Sequence, residues 1–273
     1  ARISQTGPDG KLYGVNMDGA AVMTLFNKKA FDEAGIVEPP KTWGELMTAC
    51  KKLQDKGYIP FGADAATSHY CMHWFEGQMY NQILWDDIYK WDDDKNKVIT
   101  ARELANHYQV GDWPDWDGFL ILAHLLKDLA QYFPVGYEGE LDYRQLWRQE
   151  KVAMHMEGNW AIGQLKNSPP PFEYSWMNFP IITKDLAPKS QEKTVRISGA
   201  WGCMQYHMPG YLAQKDPDKV KVCMDWLMWS SKPENVSRNL AETSMVPLTI
   251  GAKGMPGRAR RRVKDGPLRE PGL

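Results

Sequence analysis

Apolar positions alternate with polar ones along residues 11–16 (KLYGVN) and 21–27 (AVMTLFN), two short runs on either side of Asp18-Gly19, and this predicts two strands around a bend. Pro39-Pro40 then interrupts the chain, and Thr42 with Glu45 three residues later has the spacing of a capping box. Trp43, Leu46, Met47, Cys50 and Leu53 follow at helical spacing until Gly57, so a helix is expected between Thr42 and Gly57. The apolar run Tyr58 to Ala63 predicts a buried strand, and residues 69–85 an aromatic-rich helix. Strand, helix, strand, helix is the alternation of an α/β lobe.

Beyond Trp85 the composition turns polar, and residues 115–132 then carry a strong amphipathic helical pattern. A shorter helix is expected over 142–149 and a strand over 151–156 (KVAMHM). Glu157-Gly158-Asn159 is read as a turn leading directly into a helix from Trp160 to Leu165, stopped by Asn167 and Pro169 to Pro171. Residues 172–182 and 195–206 read as strands. A helix from Lys215 to Trp229 opens at Asp216-Pro217, with Pro at the first helical position, and another starts at Pro233. Residues 251–273 have almost no apolar periodicity and read as a disordered tail.

Composition narrows the class without naming a function. A chain of 273 residues, 43% hydrophobic and 25% charged, can bury a core in one large domain or two lobes, which excludes a disordered, collagen-like or coiled-coil protein. No apolar run reaches the roughly 18 residues of a membrane helix. The first residues contain no apolar signal segment, and the start at Ala1 suggests an upstream portion removed by processing or truncation. The net charge of −1 hides an asymmetry: the segment 251–273 carries +5 and the remainder −6. The basic tail has no interleaved aromatics for base stacking, so no nucleic-acid partner is expected. Cys50, Cys71, Cys203 and Cys223 have neither zinc-site spacing nor the density of a disulfide scaffold, and read as buried thiols. The 12 Trp, 12 Tyr and 14 Met are the unusual component, fitting either a bulky core or aromatic platforms for a ligand.

The common catalytic and cofactor signatures are missing: there is no Gly-rich phosphate loop after a strand, no GxSxG and no HExxH. Glu76, Asp117 and Glu157 could supply a glycosidase-type carboxylate pair, a signal that any chain of this size carries. His69, Cys71, His73 and Glu76 crowd one stretch, with the two histidines one helical turn apart; the favoured reading is the polar mouth of a helix and not a metal site. Asp92, Asp94, Asn96, the Val98 carbonyl, Thr100 and Glu103 match positions 1, 3, 5, 7, 9 and 12 of a helix-loop calcium site. Lys97, however, stands where the sharp turn takes Gly, and a solvated hairpin turn joining Trp91 to Val98 is preferred. Trp160 is the sharpest signal. An aromatic at the start of a helix that follows a buried strand lies on the carboxyl rim where open α/β sheets take ligands, and its face suits the apolar side of a sugar ring. The segment reads equally as a core Trp packing helix on sheet. Trp74 and Trp201 pose the same question.

The string DGKLYGVN, followed by TLFNKKAFDEAGI, PPKTWGELMTACKKLQDKGYIPF, KVAMHMEGNWAIGQL, VKVCMDWLMWSSKPE and MVPL, resembles the extracellular solute-binding proteins of bacterial carbohydrate ABC importers, the maltose-binding-like group, over roughly residues 10–250. The resemblance implies a two-lobed α/β fold of the type II periplasmic-binding-protein kind with the first lobe largely missing. Residues 1–18 would be a first-lobe segment and crossover, 19–196 the second lobe, 197–250 the return to the first lobe and 251–273 the basic tail. It further implies a monomer outside the cytoplasm that closes on a mono- or oligosaccharide, delivers it to an ABC permease and has neither catalytic activity nor a cofactor. By position in the family's motifs, Trp160 resembles the sugar-stacking aromatic, with Asn159 beside it. Tyr70 resembles a second cleft aromatic, with His73 and Trp74 adjacent, while Asp18 and Trp201 lie at the two crossovers. The rival from another class is a carbohydrate-active hydrolase using a carboxylate pair.

Overall fold

The computed structural model describes residues 11, 13–65, 69–95, 99–112, 116–194, 205–243, 245–247, 249 and 251–253. The elements, in chain order, are β1 (Gly14–Asn16), β2 (Asp18–Gly19), β3 (Val22–Asn27), α1 (Lys28–Glu33), α2 (Trp43–Asp55), β4 (Ile59–Gly62), α3 (His69–Ile83) and α4 (Trp85–Ile88). A 3₁₀ turn (Tyr89–Trp91) leads to α5 (Ala101–Gln109), α6 (Trp116–Ala130), α7 (Tyr143–Arg148), β5 (Val152–Gly158), α8 (Ala161–Asn167) and β6 (Tyr174–Met177). The chain continues through β7 (Gln205–His207), α9 (Leu212–Lys215), α10 (Pro217–Ser230), α11 (Pro233–Thr243) and β8 (Val246–Pro247).

One four-stranded mixed sheet, in the order β4-β5-β3-β6, organises the main lobe. β4 runs parallel to β5, and β3 is antiparallel to both β5 and β6. All seven residues of β5 are buried, because α7 covers one face and the α2, α3 and α6 layer the other. A strand covered on both faces reads as a continuous apolar run, and VAMHM therefore shows no alternation. The large core gathers Phe61, Phe75, Met79, Leu46, Leu53 and Leu129, all fully buried, around the sheet. α3 and α6 approach closely at Gly118, where a Cβ would come within 2.2 Å of Leu84 Cδ2. The second unit is small. β1 pairs with β7 and β2 with β8, both antiparallel, so residues 14–19 are joined to the end of the chain rather than to the sheet that follows them. Met17, Ala20, Val236, Leu240 and Met245 form its apolar cluster. On α10, Val222, Met228 and Trp229 remain 67%, 65% and 56% exposed.

Local chemistry explains most boundaries. Thr42 Oγ1 accepts from the Glu45 N–H at 3.3 Å while Glu45 Oε2 accepts from the Thr42 N–H at 3.2 Å, the expected capping box, and Gly57 takes a φ of 85° just beyond α2. Asp216 caps α10 by accepting from the Lys219 N–H at 3.1 Å, with Pro217 at the first helical position.

Several elements differ from expectation. β5 continues through Glu157 and Gly158, which pair with Met23 and Val22, because these residues still have β3 alongside to accept ladder bonds. α1 was hidden by its shortness; Asn27 Oδ1 caps it by accepting from the Ala30 N–H at 3.3 Å. The helix expected over 215–229 is present as α10, and a separate short helix, α9, precedes it and ends at Asp216, whose φ of −156° is extended. The strand over 172–182 shrinks to β6 followed by a single bridge from Ile181 to Thr42. Most of the strand expected over 195–206 lies outside the described residues, as does the tail from 254.

The acidic stretch also folds differently. Tyr89–Trp91 is a 3₁₀ turn, not the first arm of a hairpin; the residue with positive φ is Lys95 at 55°, and Asn96, Lys97 and Val98 lie outside the described residues. Thr100 and Glu103 form a second capping box at the start of α5. Asp92, Asp94 and Glu103 each bring a carboxylate oxygen within 4.8 Å of the others. Glu103 already accepts from the Asp93 N–H at 2.9 Å and from the Thr100 N–H and hydroxyl at 2.7 Å each, and these bonds hold its carboxyl below the usual range.

Two histidines couple this fold to pH with opposite sign. His155 is enclosed by Tyr143 and Trp147, its Nδ1 lies 3.2 Å from the Met156 carbonyl, and Nε2 has no hydrogen-bond partner among the described residues; burial pushes its pKa down to about 4. The folded state therefore binds fewer protons at this site than the unfolded state between about pH 6.5 and about 4, and stability is lost as pH falls through that window. His107 instead lies between Asp93 at 3.0 Å and Asp112 at 2.8 Å and stacks on Trp91, and the carboxylates raise its pKa. Its contribution is fully present below the ordinary imidazole range and is lost as pH rises through the raised value. Urea unfolding measured from pH 8 to 4 should show His155→Leu gaining on the parent toward acid by about 3 kcal/mol. His107→Gln should lose ground to the parent over the acid part of the same range, and parallel curves for either variant would contradict the assignment.

Candidate functional site

The meeting point of the two units is the turn from β5 into α8. Asn159 is buried, and its side-chain Oδ1 accepts from the Ala21 N–H at 2.8 Å while its own N–H donates to the Ala21 carbonyl at 3.0 Å. Ala21 immediately precedes β3 in the two-residue link from β2, so a pair of hydrogen bonds clamps the turn to the crossover of the chain. β-Ladder geometry continues into this clamp, since Val22 already pairs with Gly158.

Trp160 follows, half-buried, and packs against all three apolar clusters: the main core, the small first unit and the group around Trp147. Its ring is fixed from several sides. The indole Nε1–H donates to Glu157 Oε1 at 3.0 Å. The six-membered edge folds over Gly158, where a Cβ would sit 2.2 Å from Cη2 and Cζ3. Trp74 meets it at 5.7 Å between ring centroids with an interplanar angle of 49°. Glu157 also accepts from the Gly158 N–H at 3.0 Å through Oε1 and from Arg144 Nε at 2.6 Å through Oε2. Its side chain is 5% exposed against 42% for Arg144. Arg144 comes from α7, and its guanidinium also lies 4.8 Å from the Tyr143 ring centroid.

The remaining sequence candidates are dispersed around this turn. Trp74 is buried and touches Trp160, whereas His73, its neighbour on α3, is exposed. Tyr70 is in the first turn of α3, with its side chain outside the described residues, and Trp201 lies wholly outside them. Asp18 is buried in β2, opposite Pro247. Glu76 is half-buried on α3 and Asp117 exposed on α6, while both oxygens of Glu157 are occupied by N–H donors. Two surface concavities lie elsewhere, one of 520 Å³ between the α1–α2 connection and α2, the other of 440 Å³ between Met17, Tyr206, Trp226 and Trp229. Cys50 is buried, and desolvation pushes its thiol up to about 12, which makes it an inert core residue.

Sequence reasoning missed Arg144, the tethering role of Glu157 and the space requirement at Gly158. The signal was the order Glu157-Gly158-Asn159-Trp160 itself, in which an acceptor, a residue without a Cβ, a backbone clamp and a ring succeed one another.

The model of the bacterial extracellular solute-binding protein family matches residues 2–256. The chain belongs to that family. Among curated relatives, the sn-glycerol-3-phosphate-binding periplasmic protein UgpB of Rhizobium meliloti (strain 1021) is 37% identical over 171 residues, and its counterpart in Brucella abortus (strain 2308) is 39% identical over 171 residues. Each match covers 59% of this chain and 35% of the relative, so the chain spans little more than a third of the curated relatives it matches. Among solved structures, a solute-binding protein RafE in complex with raffinose superposes with a TM-score of 0.63 at 17% identity, covering 90% of this chain and 58% of the other. A chitin oligosaccharide binding protein gives 0.62 at 17% identity, covering 93% and 57%. The fold of this family member is thus the mixed α/β, type II periplasmic-binding-protein kind expected from the sequence, here with one main lobe and only a small second unit, over a span that covers 57–58% of these two neighbours. No helix among the described residues is long and apolar enough to cross a membrane.

Space at position 158 should be critical to the site in this family member. Gly158 has no positive φ, so Gly158→Ala meets no backbone strain, only the Trp160 ring. The indole is rigid and wedged against Trp74 and therefore must swing away from Glu157. Thermal or urea unfolding should show a loss of about 1–3 kcal/mol, of the size of overpacking in a core. Tryptophan fluorescence of the folded variant should shift as well; unchanged stability and emission would show that the ring does not rest on Gly158.

Proposed function

We propose that the chain binds a polyhydroxylated solute of the sugar or polyol class at the junction of its two lobes, with the Trp160 indole as the stacking platform, for delivery to the membrane permease of an ABC importer. The observation that carries this reading is the ring itself: it is half-buried, tethered by Glu157 and in contact with the apolar clusters of both units. A fixed aromatic face offers apolar contact to the C–H side of a sugar ring or polyol without ordering a flexible side chain on binding. Trp74 packs against it at 5.7 Å between ring centroids. Tyr70, His73, Asp18, Asn159 and Trp201 are the proposed surrounding ligands, with Asp18 accepting from ligand hydroxyls. In this reading the protein is a monomer outside the cytoplasm, the lobes close over the solute and no bond of the solute is broken. The lobe division assigns residues 1–18 and 197–250 to the first lobe and 19–196 to the second.

Two ligand chemistries are supported by different observations. The fold neighbours include proteins named for raffinose and chitin oligosaccharide, which favours a neutral carbohydrate. The curated relatives at 37–39% identity are named for sn-glycerol 3-phosphate, which favours a polyol phosphate. A titration of the chain with mono- and oligosaccharides and with sn-glycerol 3-phosphate, read by tryptophan fluorescence, separates them. The expected result is a saturable shift with one class, weakened about tenfold or more in Trp160→Ala, equivalent to about 1.4 kcal/mol, with the solute recovered intact by chromatography. Cleaved solute would transfer the protein to the hydrolases, and an unchanged affinity in the variant would remove Trp160 from the site.

A further inference from the structure

We infer that the buried carboxylate of Glu157, neutralised by Arg144, is the positioning residue that sets the orientation of the Trp160 ring. An indole has one polar atom, a donor, so whichever acceptor takes its N–H decides how the ring is turned about its last side-chain torsion. Here that acceptor stands three residues earlier, near the end of the preceding strand, and three N–H groups converge on it: Trp160 Nε1 at 3.0 Å, the Gly158 backbone at 3.0 Å and Arg144 Nε at 2.6 Å. A carboxylate accepts all three with neither oxygen idle, and charge-assisted bonds of this kind are the strong ones. Burial of Glu157 without Arg144 would cost far more than a surface pair returns, and so the cation on α7 is what allows an anion to be kept at the N–H edge of the ring. Gly158 and Trp74 supply the steric stops and Glu157 the polar one.

This inference rests on the reading of Trp160 as the ligand platform, and its test separates the two. The 273-residue chain would be labelled with ¹⁵N at the indoles and compared with Glu157→Gln, Trp160→Phe and the double variant. The indole N–H signal absent from Trp160→Phe identifies Trp160. In Glu157→Gln the amide presents N–H groups to Arg144, one acceptor oxygen is lost, and that one indole signal should move and exchange with solvent about tenfold faster while the other indoles stay in place. Affinity for raffinose and for sn-glycerol 3-phosphate, measured by calorimetry, should fall about tenfold for whichever of them binds, with no further fall when Glu157→Gln is added to Trp160→Phe. A merely structural carboxylate would instead lower the melting temperature equally in both backgrounds and leave the Trp160 indole signal where it was, and that result overturns the inference. If the indole moves but affinity does not, the positioning role stands and the platform reading fails; if neither probe binds the parent, the indole signal alone decides. Arg144→Gln, at a half-exposed position, provides a second variant with the same expected direction should Glu157→Gln fail to fold.

Discussion

The double hydrogen bond between Asn159 and Ala21 is the constraint on which the rest of the site depends. Ala21 is where the chain leaves the small first unit, and Asn159 directly follows β5; tying them fixes the crossover against the sheet at a single point. The β3–β5 ladder from Val22 to Phe26 extends that tie into a rigid pair of strands, and β5 is itself buried over its whole length. A backbone clamp made by a buried amide side chain is costly to break, because both the amide and the freed backbone groups would be left without partners away from water. The turn that presents Trp160 is thereby as firmly placed as the sheet it leaves.

Around that point the polar groups are arranged by burial more than by number. Glu157 is enclosed and fully engaged, whereas most other ion pairs, such as Lys28 with Glu173 and Lys29 with Glu150, lie at the surface, where such pairs contribute little. His155, two residues earlier on the same strand and facing the same helix, is kept neutral by burial. The face of β5 toward α7 thus carries one buried imidazole and one buried carboxylate, and only the carboxylate has been given a counter-charge. Arg144, the second residue of α7, is the residue that makes the difference.

What could be read from the sequence was whatever rests on near neighbours. The capping box Thr42 and Glu45, the helix through Leu53 and the buried strand at Tyr58 to Ala63 depend on contacts within a few residues, and all are present. At Thr100 and Glu103 the same three-residue spacing forms a second capping box, a spacing that positions 9 and 12 of a calcium loop share. Glu157 was legible as an acid but not as a tether, since Arg144 is thirteen residues away and reaches it only because α7 lies over β5. The pairing of residues 14–19 with 205–207 and 246–247 is still more distant, and no local pattern announces it.

The placement of the clamp also bears on motion. Type II folds respond to ligand by a change at the segments that cross between lobes, and such hinges are a few residues that absorb the rotation. With Ala21 bonded on both its N–H and C=O to Asn159, the chain at Ala21 is tied to the end of β5 and so to the main sheet. Trp160, carried on the clamped side, must then travel with the main sheet, while Met17 and Ala20 belong to the cluster it touches from across the junction. Under the proposed closure, a ring held to one unit and in apolar contact with the other would register the movement directly, because the Glu157 tether keeps the indole from turning to follow it.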